Sequence, residues 1–189
     1  AIEFLENSYP VDERECLDVR RAAPEGALVD AGEPLLHVSG SFAALAPLET
    51  VLLQKLGWAC VSARNAYEMC RALPDVAFLD MHARHATGDD MSEASAYGAA
   101  VGSRTAQLLG AKGFVGGSQG ITARHFGLSS GVGTMPHALV GYMKARRSEG
   151  LESDPPTLAA AKAYEAAFPE ERNVSVLVDF DGREISDAI

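Results

Sequence analysis

Two short apolar runs, separated by a long alanine-rich stretch, constrain this chain more than any other feature. Val76-Ala77-Phe78-Leu79, bounded by Asp75 and Asp80, reads as a strand, residues 91–109 as a helix and residues 111–115 as a second strand. Strand, helix, strand in that order is the signature of a parallel β/α unit, because the helix returns the chain to the end from which the next strand starts. The rhythm continues downstream. A third, brief strand is expected before Gly133, helices over residues 134–147 and 157–168, and a further strand at Val174-Ser175-Val176-Leu177-Val178, ending at Asp179.

Upstream the pattern differs. Residues 14–39 alternate apolar and polar positions around the turn signals Pro24-Glu25-Gly26 and Ala31-Gly32-Glu33-Pro34, which predicts short antiparallel strands, two of them at 27–29 and 35–38. Leu45, Leu48, Leu52, Leu53 and Leu56 then recur at helical spacing, and a second helix is expected over residues 61–73. The fold class is therefore α/β: a small α+β layer over residues 1–73, followed over residues 74–189 by β/α units. The chain opens Ala-Ile-Glu-Phe and closes at Asp187-Ala188-Ile189 in what reads as the start of a helix, so both ends look cut and the C-terminal part of such a fold is expected to be missing.

With 47% hydrophobic and 22% charged residues the chain has the make-up of a folded globular protein. Sixteen Lys plus Arg against 26 Asp plus Glu leave a net charge of -10, which argues against nonspecific nucleic-acid binding. A few arginines and helix N-termini still suffice for a local anion pocket. Cys16, Cys60 and Cys70 form no C-x-x-C pair, which predicts reduced cytoplasmic thiols, with Cys60 and Cys70 as small buried hydrophobes. No apolar run approaches the roughly 18 residues that span a bilayer, and no signal pattern opens the chain, so no membrane partner is expected.

In a β/α barrel the working residues follow the carboxyl ends of the strands. Four polar groups of this chain fall in that position: residues 80–85, 116–119, 134–137 and 179–181. The competing explanation is that strands end at the surface, where polar residues are ordinary. Arg84, in Asp80-Met81-His82-Ala83-Arg84-His85, offers a planar cationic fork to a carboxylate or phosphate. The same run supplies His82 and His85 as potential metal ligands with Asp80, so a metal-dependent barrel hydrolase that also uses His137 and Asp179 is a rival reading. Gly116-Gly117-Ser118-Gln119 presents amides and a hydroxyl but has neither P-loop nor G-x-G-x-x-G spacing. His125 is expected to be a satisfied structural histidine.

Gly133-Thr134-Met135-Pro136-His137-Ala138-Leu139 sets a histidine at the start of a helix, with Thr134 as the expected cap and Pro136 in the first turn. With an ordinary pKa of about 6.5, a histidine there exchanges protons near neutrality. Asp179 could hold a ribose, a Mg²⁺ ion with phosphates, or the imidazole of His137, while Asp181-Gly182 reads as the tip of a turn.

The ordered set of Asp80 to Ala86, Gly113-Phe114-Val115-Gly116-Gly117, the Gly133 to Leu139 run and Leu177-Val178-Asp179-Phe180 resembles nicotinate phosphoribosyltransferase. Pro24-Glu25-Gly26, Glu33-Pro34-Leu35-Leu36 and Leu48-Glu49-Thr50-Val51-Leu52-Leu53 are similar to the first domain of the type II phosphoribosyltransferases. The resemblance implies that the first domain packs on an irregular (β/α) barrel, in a homodimer or higher homo-oligomer. It implies the joining of nicotinate to phosphoribosyl pyrophosphate, driven by ATP hydrolysis through a phosphohistidine, with Mg²⁺ accompanying both phosphorylated substrates and no tightly bound cofactor. His137 matches the phospho-accepting histidine and Arg84 an arginine of the nicotinate site. Asp80 and His85 match flanking positions of that site, His85 standing where many relatives carry a second arginine. Ser118 and Thr134 fall in substrate loops, and Asp179 matches an aspartate near the ribose or the imidazole. The alternative within the resemblance is a catalytically silent, dimerising fragment or paralogue.

Overall fold

The computed structural model describes residues 17–171 and 174–189, which mix helix and strand and divide after Val132 into two units. Cys16 lies outside the described residues.

In the first unit, β1 (Asp18–Arg21) pairs antiparallel with β2 (Leu36–Ser39), with Val19 opposite Val38. The antiparallel expectation holds, but residues 27–29 form no strand. They leave a turn in which Gly26 has φ +84, and the Gly26 carbonyl accepts a 2.9 Å hydrogen bond from the Thr105 hydroxyl, which draws this stretch onto a helix. A single turn, α1 (Phe42–Leu45), is capped by the Ser41 hydroxyl and leads through a 3-10 turn into α2 (Glu49–Ala72). Where the leucine spacing predicts two helices, α2 is one continuous rod of 24 residues. Its apolar pattern fades around Gly57, but no proline or capping residue interrupts the backbone ladder there.

The β/α unit is present. β3 (Ala77–Asp80), α3 (Asp89–Gln107) and β4 (Gly113–Gly117) follow in order, and β3 and β4 pair in parallel. The register slips between Phe78 and Leu79, so that Phe78 faces Phe114 while Leu79 faces Gly116, which leaves Val115 as the extra residue of a bulge. Among the described residues the strands make two two-stranded sheets, and no closed barrel is seen.

α2 and α3 lie against each other through small residues. A Cβ at Gly98 would stand 2.4 Å from the Ala59 carbonyl oxygen, and one at Gly102 only 1.9 Å from that of Ala63. The approach is therefore closer than any side chain would allow. It is fastened by polar contacts: the Ser62 hydroxyl donates to the Ser95 carbonyl at 2.6 Å, and the Trp58 indole N–H to the Ser95 hydroxyl. Beneath the helices Cys70, Ala106 and Ala111 form a buried cluster with Tyr67, Phe78 and Phe114, the two phenyl rings stacking at 5.4 Å. Cys70 is buried as expected, but Cys60 is exposed. The Tyr97 hydroxyl donates to the Glu25 carboxylate; burial and Glu25 together push its pKa up to about 12.

The second unit contains α5 (His137–Ser148), α6 (Pro156–Ala167) and the short α7 (Glu184–Ala188); the brief helix Gly120–Ala123, α4, belongs to the first. Met135, Val140, Met143, Ala159 and Ala160 are its core, with Leu139, Ala163, Tyr164, Leu177 and Phe180 packed on it. Neither the brief strand before Gly133 nor the strand at residues 174–178 forms. The alternation of valines favours an extended chain, but a strand also needs a ladder partner. Among the described residues these have none.

Two measurements test this packing. Gly102→Ala should lower the unfolding free energy by about 1–3 kcal/mol in urea titration, through overpacking. Gly57→Ala, at a helical position with nothing within 4 Å of the added methyl, should raise it by up to about 1 kcal/mol. Because the Tyr97 pKa is higher folded than unfolded, its bond to Glu25 stabilises fully below pH 10 and is lost as pH rises towards about 12. The stability difference between the natural chain and Tyr97→Phe should therefore shrink across that window.

Candidate functional site

Parallel pairing brings two of the expected site residues together at the ends of β3 and β4. Asp80 lies opposite Gly117, and the Ser118 amide donates to the Asp80 carbonyl at 2.9 Å. The returning loop closes over them: the Val132 amide donates to the Gly117 carbonyl at 2.8 Å, and a Cβ at Gly131 would sit 2.5 Å from the Ser118 carbonyl oxygen. Only glycine permits that approach. The Gln119 side chain accepts from the Ser92 hydroxyl of α3, so the loop after β4 is held by the helix that precedes it.

Asp80 is 8% exposed and occupied. One carboxylate oxygen accepts from the His82 amide at 3.1 Å and also meets His82 Nδ1. A buried carboxylate needs such partners, since unpaired it would be costly to desolvate. His82 Nε2 is buried with no hydrogen-bond partner. Arg84 and His85, on the 3-10 turn His82–His85, are exposed. Among the described residues no group of three or more His, Cys, Asp or Glu is arranged to hold a metal ion; of this turn, His82 pairs with Asp80. His125 packs edge-on against Tyr97, and its buried Nε2, which makes no hydrogen bond, lies 3.5 Å from a Glu93 carboxylate oxygen.

In the second unit His137 is the first residue of α5. The expected cap is displaced: Pro136, with φ -77 and ψ 143, holds the cap position, and no side chain bonds to the first turn. Thr134 instead is exposed and lines a cleft of about 690 Å³ with Leu139, Tyr164 and Phe168. Residues 179–181 run beside α5. Asp179 Oδ1 lies 3.2 Å from His137 Nε2. One turn on, the Phe180 ring fits against Gly141, where a Cβ would come within 3.2 Å of it, and Asp181 pairs with Lys144 at 2.5 Å. The two flanking contacts thus hold the Asp179 carboxylate in register with the imidazole. A carboxylate on one imidazole nitrogen orients the ring and makes the other nitrogen the better nucleophile or base. The contact with His137 is one of the three roles open to Asp179.

No family model matches the chain. Among curated proteins it is similar to nicotinate phosphoribosyltransferase from Bos taurus, 44% identical over 71 residues, which is 37% of this chain and 13% of that one. The same enzyme from Mus musculus gives the same figures, and that from Homo sapiens is 39% identical over 89 residues, 46% of this chain and 16% of that one. The chain thus covers about one seventh of the length of these relatives.

Asp80→Ala should destabilise the first unit by about 1–3 kcal/mol, because it strands the His82 imidazole and amide. Asp80→Asn, which keeps an acceptor oxygen, should cost less than half of that in the same urea titration; equal losses would show that the contact to His82 is not what matters.

Proposed function

We propose that this chain is part of a nicotinate phosphoribosyltransferase, with residues 1–73 as its first domain and residues 74–189 as the opening part of an irregular barrel. The observation that carries this reading is the 39–44% identity to curated enzymes of that name. The His137–Asp179 pair supports the finer version, in which Mg–ATP drives the transfer through a phosphohistidine. With Asp179 accepting the Nε2 proton, the lone pair of His137 resides on Nδ1. That nitrogen attacks the γ-phosphorus of ATP, the bond to the β-phosphate oxygen breaks, and ADP leaves. Mg²⁺ enters with the nucleotide and with phosphoribosyl pyrophosphate and offsets their phosphate charge. Hydrolysis of the phosphohistidine, releasing inorganic phosphate, then accompanies the transfer, in which the nicotinate ring nitrogen bonds to the ribose C1, the bond from C1 to the pyrophosphate oxygen breaks, and pyrophosphate leaves.

Arg84 faces the nicotinate carboxylate in this proposal and so favours the acid over the uncharged amide. Asp80, His85 and Ser118 flank the ring, and Thr134 lies beside the phospho-accepting histidine. The enzyme works as a homodimer or higher homo-oligomer in the cytoplasm.

The test is release of pyrophosphate and ADP by the full-length protein supplied with nicotinate, phosphoribosyl pyrophosphate and Mg–ATP. His137→Ala should abolish ADP formation, and Arg84→Gln should raise the nicotinate KM roughly ten- to hundredfold with a smaller change in kcat. Turnover no greater than that of His137→Ala would overturn the reading in favour of a catalytically silent portion.

A further inference from the structure

One face of α5 meets residues 179–181 at three successive positions. His137, Gly141 and Lys144 follow one another at intervals of four and three residues, which sets them in a row along the helix. Asp179 meets the first of them, Phe180 the second and Asp181 the third. The Phe180 ring also stands beside both ends of the row: its centroid is 6.4 Å from that of the His137 ring and 5.7 Å from Lys144 Nζ.

The three contacts differ in what they can hold. Water and salt compete with the partly exposed pair of His137 and Asp179. Lys144 is half exposed, so its bond to Asp181 is of the kind that adds little and weakens in salt. Phe180 is fixed differently. Its ring packs on the core of Met135, Val140, Met143, Ala159 and Ala160, and its tip fits where Gly141 has no side chain: a Cβ there would stand 3.2 Å from Cζ and 3.4 Å from Cε2. Apolar contact of this kind is short-ranged and does not depend on ionic strength. Since Phe180 follows Asp179 directly in the chain, a seated ring restricts where the carboxylate can go.

We propose that Phe180, seated on Gly141, is the positioning residue that keeps the Asp179 carboxylate on Nε2 of His137 and thereby fixes the neutral imidazole as the Nε2–H tautomer. A carboxylate only accepts, so while the contact holds, the proton stays on the nitrogen that faces it. When the ring is unseated the carboxylate moves away, and both tautomers are populated. Gly141 belongs to the same device: a methyl group there displaces the tip of the ring and, with it, Asp179. That the lone pair on Nδ1 then attacks phosphorus rests on the phosphohistidine chemistry proposed above; the fixing of the tautomer does not.

The test reads the His137 ring nitrogens of the full-length protein by long-range proton–nitrogen NMR correlation at about pH 8, where an ordinary imidazole is neutral. His137→Ala assigns the signals. The natural chain should show the Nε2–H tautomer alone. Phe180→Leu and Gly141→Ala should each give a mixture, with far-ultraviolet circular dichroism unchanged. Combined, the two should return most of the Nε2–H form, because the added methyl fills the space that the shorter side chain leaves. Lys144→Gln, or about 1 M NaCl, should shift the population less than half as far as either single substitution. A mixture in the natural chain overturns the proposal, as does a tautomer that survives both substitutions, a double variant no better than the singles, or a Lys144→Gln effect as large as theirs. ADP formation from Mg–ATP should fall roughly tenfold or more in each of Phe180→Leu and Gly141→Ala. Absence of ADP with the natural protein sinks the phosphohistidine reading alone, since the ring signals decide the positioning without it.

Discussion

The first unit depends on how closely α2 and α3 approach. Gly98 and Gly102 bring the α3 backbone against the carbonyl oxygens of Ala59 and Ala63, a distance at which even a methyl group does not fit. Everything α3 does follows from that placement. One face of it bonds to α2 through Ser95, while Ser103 accepts from the Phe114 amide at 2.7 Å and so fixes where β4 begins. Further along, Ser92 holds Gln119 at the other end of the strand. A helix of small residues thereby sets both ends of β4, and through the parallel ladder sets Asp80 beside Ser118.

In the second unit a different device places the reactive pair. No strand delivers Asp179. It sits instead in a segment outside any strand that contacts α5, with Phe180 seated over Gly141 and Asp181 salt-bridged to Lys144. His137 and Asp179 are 34% and 48% exposed, so their contact depends on these neighbours for its geometry and not on enclosure. A surface ion pair alone would hold weakly.

What could be read from the sequence follows from what each element needs. The strands at β3 and β4 and the helix between them are legible because short apolar runs bounded by aspartates at β3 and by glycines at β4, and an alanine-rich stretch of nineteen residues, are local signals. Residues 174–178 carry an equally strong local signal and still make no strand, since pairing is a property of two segments. α2 runs through Gly57 because fading amphipathicity weakens a pattern without breaking a ladder. The His137–Asp179 contact was one of three partners open to Asp179. The seat of Phe180 on Gly141 is not legible: the two residues are thirty-nine positions apart, and only the packing of residues 179–181 on α5 makes them neighbours.

The largest fully buried side chains in the described residues are Val140, Thr122, Cys70, Ser92 and Ser103, and the closest approach of α2 and α3 is between alanine, glycine and serine residues, with Trp58 bonded beside it. Such a core is cohesive by contact density more than by apolar area withdrawn from water. Heat capacity of unfolding scales with newly exposed apolar area and is reduced by polar exposure. A seam of this kind therefore adds little curvature to the dependence of stability on temperature. Its contribution persists on cooling, when the hydrophobic term of larger side chains fades.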